Sequence, residues 1–215
     1  INYCEGLFSA SIFSDTYHRE NVYLDFVSTL KCKSLMSNGA LTIKSYTNFL
    51  FSYSNLSLCE NEGFYCGLWI DKSNVNVSFS YFSRNRNPDI NGGITSIFTY
   101  SVFIDHTVFI NLQLKAINNF GAVAIYVDKN LNRSSSISNC VFNYPDTYSS
   151  SINIRLGSPV NISSCCFSNP KKSEQRNSMM NFHSDNVFGY QCELIKFKKN
   201  NMKKQLMLLL HLLKC

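Results

Sequence analysis

The 215 residues predict an all-β solenoid, in which short strands stack coil upon coil with a repeat of about 28 residues. Three observations carry that expectation. The composition holds 17 phenylalanines and 12 tyrosines but only 5 alanines, which disfavours a helical bundle. Serine (30) and asparagine (26) fill about a quarter of the chain, and 45% apolar residues rule out disorder. Finally, two alternating apolar elements recur at an almost constant spacing.

The first element is a short strand. Residues 67–72 read Gly-Leu-Trp-Ile-Asp-Lys, 95–100 read Thr-Ser-Ile-Phe-Thr-Tyr, and 123–129 read Val-Ala-Ile-Tyr-Val-Asp-Lys. Aligning the residue after each alternation gives Lys44, Asp71, Tyr100, Asp128, Arg155 and His183, in steps of 27, 29, 28, 27 and 28.

The second element is Val77-Ser-Phe-Ser-Tyr-Phe82, with copies at Ile104–Phe109, Ile137–Phe142 and Ile162–Phe167. Phe51–Leu56 is a looser copy, and Tyr190–Ile195 a looser one still. Asparagine follows each good copy, at Asn85, Asn111, Asn143 and Asn169, where it suits a left-handed turn and can stack its amide along the axis. Each unit is thus expected to hold two strands separated by Ser-, Asn- and Gly-rich turns.

One such unit cannot bury an apolar face alone, whereas stacked units can. With like residues about 4.8 Å apart, the inward columns are expected to be Leu41/Leu68/Ile97/Ile125/Ile154 and Leu56/Phe82/Phe109/Phe142/Phe167.

Asn91-Gly-Gly-Ile94 and Ile137-Ser-Asn-Cys-Val-Phe-Asn143 carry a family likeness. The chain resembles the right-handed parallel β-helix proteins of the pectate-lyase-like superfamily. In particular it resembles polymorphic-outer-membrane-type surface repeat proteins. The resemblance implies a right-handed parallel β-helix of about six coils over 39–197, and an extracellular or cell-surface location. It leaves function open, because such families include both enzymes and adhesins. Residues 1–38 are expected to be one or two degenerate coils, and 198–215 a basic, leucine-rich tail with a short helix.

Strand parity places two columns outward on the first element. One is Thr42, Trp69, Phe98, Tyr126, Asn153 and Asn181; the other is Lys44, Asp71, Tyr100, Asp128, Arg155 and His183. Trp69, Phe98, Tyr100 and Tyr126 are the candidate ligand-binding residues, since sugar rings stack on aromatics while their hydroxyls need polar partners. Asp71, Asp128 and Arg155 are the candidate catalytic residues. Two coils separate the carboxylates, roughly 9.6 Å, at the edge of the spacing of roughly 6.5–9.5 Å in inverting glycosidases. Against catalysis, alternating charges and exposed aromatics also stabilise an ordinary sheet surface.

Ile104-Asp105-His106 resembles the Trp-Ile-Asp-His signature of pectate lyases, yet it fills an ordinary repeat slot, so His106 reads as coil decoration. The lyases' group of calcium-binding acids and the polygalacturonase Asn-Thr-Asp and Gly-His-Gly patterns are absent, and neither a metal nor a cofactor is expected. Cys140 and Cys165 share an inward position in neighbouring coils, where packing is favoured over a vertical disulfide, and Cys166 points the other way as a free-thiol candidate. Nine cysteines cannot all pair within one chain. Sequons at Asn55, Asn76, Asn132 and Asn161 are no more than this composition produces by chance.

The net charge of +6 sits mostly in residues 193–215, where six lysines face one glutamate. The body therefore has no basic surface for nucleic acid. The run 196–215 joins lysines to Leu206–Leu213, too short to span a bilayer, and suits a cap over the last coil or an interfacial membrane contact. No signal peptide is read at the start of the chain. The sequence therefore points to a non-enzymatic module that binds a glycan or a surface protein. A polysaccharide lyase or glycosidase is the alternative, and a truncated structural fragment the third reading.

Overall fold

The structure, a computed structural model, describes residues 2–6, 12–16, 21–34, 40–45, 47–61, 67–87, 93–114, 123–127, 134–143, 152–155, 159–168 and 180–188. The tail from 196 onward, with the expected helix or membrane contact, lies outside the described residues, as do Asp128 and Asn169.

The chain is a parallel β-solenoid. Its strands form a six-stranded, a seven-stranded and an eleven-stranded sheet, here the first, second and third, and every pairing is parallel. A turn adds at least one strand to each: Leu68–Asp71 to the first, Asn74–Ser78 to the second, and Tyr81–Ser83 with Arg86–Asn87 to the third. The residues expected to be worn coils carry strands Asn2–Gly6, Ile12–Thr16, Val22–Asp25 and Ser28–Ser34, each in register with the next turn.

The expected two strands per unit are in fact three, with a short fourth, Glu60–Asn61, Arg86–Asn87 or Gln113–Leu114, in three of the described turns. Val77–Phe82 is not one strand, because Ser78 ends a strand of the second sheet and Tyr81 begins one of the third. Between them Phe79 is left-handed, at φ 48°. Phe26, Tyr53, His106, Asn139 and Ser164 turn the same corner at φ 45° to 54°. This conformation is unfavourable for a residue with a Cβ. Each corner is held from the next coil: the N–H groups of Tyr53, Phe79 and His106 donate to the carbonyls of Ser78, Asp105 and Ser138 at 3.1–3.2 Å. A two-residue corner leaves no loop to wall the adjoining sheet face on that side.

The second inward column forms as expected. Leu56, Phe82, Phe109, Phe142 and Phe167 are register partners and fully buried. Successive rings from Phe82 to Phe167 stack 4.9–5.2 Å apart, within 17° of parallel. The next copy of this element is Phe182–Phe188, not Tyr190–Ile195: Phe182 pairs with Ile162 and Phe188 with Phe167.

The first column differs. Leu68 is continued by Ile94, Val123 and Ile152, all buried, and Ile97 pairs with Asp71 and Tyr126 instead. The register slips between Ile97 and Thr99, so Phe98 is an extra residue that sequence alignment counts as a regular one. Asn181 and His183 also leave the predicted columns, since Asn181 pairs with Asn161 in the second sheet.

The conserved-looking asparagine slot does not exist as one column. Asn143 is partnered by Ile110, itself partnered by Ser83, and among the described members of this set only Asn111 is left-handed, at φ 50°. Asn85 instead plugs a corner. Fully buried, it accepts from the Cys59 N–H at 3.0 Å and donates to the Leu56 carbonyl at 3.1 Å. Asn186 repeats the device on the Cys165 N–H and the Ile162 carbonyl.

Cys140 and Cys165 are buried free thiols, so their ladder is one of packing. Burial, with Cys165 beside it, pushes the Cys140 thiol well above its ordinary range. Cys166 is not a free thiol but a fully buried, disulfide-bonded residue. Cys32 is disulfide-bonded too, and faces Cys4 in strand register.

Candidate functional site

The first sheet does not present the expected aromatic surface. Trp69 is only 9% exposed although it belongs to neither apolar core cluster, and Thr42 beside it is fully buried. Trp69 neighbours Thr95 rather than Phe98. Tyr100 is half-buried and has left the sheet for the corner, where its N–H donates to the Ser73 carbonyl at 3.0 Å. Tyr126 pairs with Arg155 in the backbone register; the side chains of Phe98, Tyr126 and Arg155 lie outside the described set.

Of the expected carboxylate pair, Asp128 lies outside the described residues. In the register Lys44 and Ile97 flank Asp71, and Tyr126 stands two rungs away. On the other side, Asp15 is two rungs from Asp71 with Lys44 between them. This column alternates sign as an ordinary sheet surface does. Among the described residues no cluster of three or more His, Cys, Asp or Glu could hold a metal.

The open face belongs to the second sheet. One outward column runs Tyr23, Leu50, Asn76, Phe103, Ser136, Asn161 and Asn181. Tyr23 is 62% and Phe103 40% exposed, and Asn76, Asn161 and Asn181 are exposed as well. Large side chains are outside here because the inward parity is already filled by Phe51, Val77, Ile104, Ile137 and Ile162.

Two polar columns flank this one. On one side the Asn48 amide donates to Asn21 at 2.8 Å, Asn74 to Asn48 at 3.0 Å, and the Ser101 hydroxyl to Asn74 at 3.0 Å. Such an amide ladder locks neighbouring coils together. On the other side the Ser52 and Ser138 hydroxyls each donate to a carboxylate one coil back, Asp25 and Asp105, at 2.7 Å.

The corner beyond carries a ring stack, Phe26–Tyr53–Phe79–His106, with centroids 4.9–5.3 Å apart. Parallel rings stacked along the axis offer their edges to solvent, so this stack stiffens the corner rather than forming a platform. His106 Nδ1 lies 2.6 Å from Asp105 Oδ2, while Asp105 Oδ1 accepts from Ser138 and, at 2.8 Å, from the Asn139 amide. Partial burial works to raise the Asp105 carboxyl, but donation from Asn139, Ser138 and His106 outweighs it and holds it below its ordinary range. A carboxylate so occupied rivets two coils and makes a poor proton donor.

The second sheet's face was legible in principle. Reading the residue before each inward aliphatic of the second element returns Leu50, Asn76, Phe103, Ser136 and Asn161, and extending the ladder back to Leu24 adds Tyr23. The irregular start of the chain hides the last step. Together these features define a parallel β-solenoid with one open polar and aromatic sheet face. Compared with protein-family models, curated proteins and solved structures, the chain matches none.

Proposed function

We propose that this chain is a non-enzymatic binding module, secreted or held at a cell surface, that takes a glycan on the outer face of its second sheet. The observation that carries the reading is the column in which exposed Tyr23 and Phe103 share one face with the exposed amides of Asn76, Asn161 and Asn181. Sugar faces stack on such rings while their hydroxyls bond to the amides. The likeness to the surface repeat proteins of the pectate-lyase-like superfamily agrees with this role. Disulfide-bonded Cys32 and Cys166 suit an oxidising, extracellular compartment.

A glycan array probed with the full chain tests the reading. Glycan capture that weakens in Tyr23→Ala and Phe103→Ala is the expected result. A well-folded chain that captures no glycan, or whose capture ignores both substitutions, overturns it. Capture of a protein by the same face is the competing outcome.

A further inference from the structure

The same face also selects among glycans, and this inference rests on the binding role proposed above. We infer that its ligand is an extended, linear, uncharged polysaccharide lying along the solenoid axis.

Charge carries the first half of the argument. The strands of the second sheet contain no lysine or arginine at all. Their only side chains charged at neutral pH are the carboxylates Asp25 and Asp105, which stand in the column next to the aromatic one. The nearby cation Lys72 belongs to the corner that precedes the sheet, not to its face. A polyuronate or sulfated chain laid on these described strands would meet the two carboxylates and no lysine or arginine of the strands themselves. A neutral chain meets only hydroxyl, amide and ring partners.

Geometry carries the second half. Tyr23 and Phe103 occupy one column, three rungs apart through Leu50 and Asn76. At one strand spacing per rung their Cα atoms are separated by about 14 Å. Half-buried Leu50 continues the apolar strip from Tyr23, and Asn76 supplies a donor and an acceptor before Phe103. Beyond Phe103 the column is polar, with Ser136, Asn161 and Asn181, the last donating to Asn161 at 3.2 Å. Among the described residues no ring stacks on Tyr23 or Phe103. The adjoining corner is two residues long in the described turns, one of them left-handed, so no loop walls the strip on that side. An extended chain can rest on both rings at once. A single sugar can use only one, and the linked second contact raises the affinity of the longer ligand.

The test is calorimetric titration of the full chain with three probes. These are a linear neutral β-1,4-glucan oligosaccharide long enough to reach both rings, glucose, and a polygalacturonate oligosaccharide of the same length. Expected are binding of the glucan alone, little change on raising the salt, and roughly tenfold weaker binding in each of Tyr23→Ala and Phe103→Ala. Preference for polygalacturonate, or equal binding of glucose and the long glucan, overturns this inference and leaves the binding role standing. Failure of all three probes, with a glycan array also blank, overturns both.

Discussion

Phe142 lies directly over Phe109, with ring centroids 5.0 Å apart and planes within 8°. The pair is the middle of a ladder that continues to Phe82 and Phe167. Truncating one rung removes contacts above and below it, and neighbouring coils cannot slide in to fill the gap. Phe109→Ala should therefore cost about 3–5 kcal/mol. Phe103→Ala, on the exposed side of the preceding strand, should stay within about 0.5 kcal/mol. Urea denaturation of the two variants separates them.

Buried Asn85 closes a corner by bonding one N–H and one carbonyl of the previous coil. Asn85→Ala strands both groups away from water, and an unsatisfied buried polar group costs about 1–3 kcal/mol. Asn85→Asp keeps the acceptor for Cys59 but loses the donor to Leu56 and places a charge in the interior. It should be at least as destabilised at neutral pH. Thermal melts of both variants check the order.

The carboxyl of Asp105 is held below its ordinary range, so the unfolded chain binds its proton more readily. The stability this provides is fully present above the unfolded value of about 3.9 and is lost as pH falls through the lowered folded value. Asp105→Asn should have a lower Tm at neutral pH and a shallower fall in Tm between about pH 5 and pH 3. Parallel slopes for the two proteins would remove Asp105 from the acid response.

Trp69 is the single tryptophan, so intrinsic emission reports on one site. At 9% exposure it should emit at short wavelength, resist acrylamide quenching and shift red on unfolding. Trp69→Ala should lower Tm and leave ligand binding at Tyr23 and Phe103 unchanged. Loss of binding with an unchanged melt would return the ligand to the first sheet.

Cys59, Cys140 and Cys165 are buried free thiols, whereas Cys32 and Cys166 are disulfide-bonded. Burial, the largest influence on each, raises the thiols of Cys59 and Cys140. Mass-spectrometric mapping of alkylation should find Cys59, Cys140 and Cys165 unmodified in the native chain and modified in denaturant without reductant. Cys32 and Cys166 should react only after reduction.

By itself the sequence determined the solenoid, the repeat and the inward column from Leu56 to Phe167. These follow from the spacing of apolar residues within one chain, because only stacked coils can bury such short amphipathic strands. Column membership elsewhere had to wait for the tertiary structure. The strand Ile94–Thr99 pairs Ile94 with Leu68 and Thr95 with Trp69, three residues earlier than the repeat spacing implies, and it is irregular beyond Ile97. A two-residue corner with Phe79 left-handed divided an apparently continuous strand between two sheets. Outward parity likewise said nothing about exposure: Trp69 and Tyr23 both point away from the core, yet one is buried and the other 62% exposed. Local periodicity records which residues must leave water. Which outward residues remain in it depends on what other parts of the molecule lie against them.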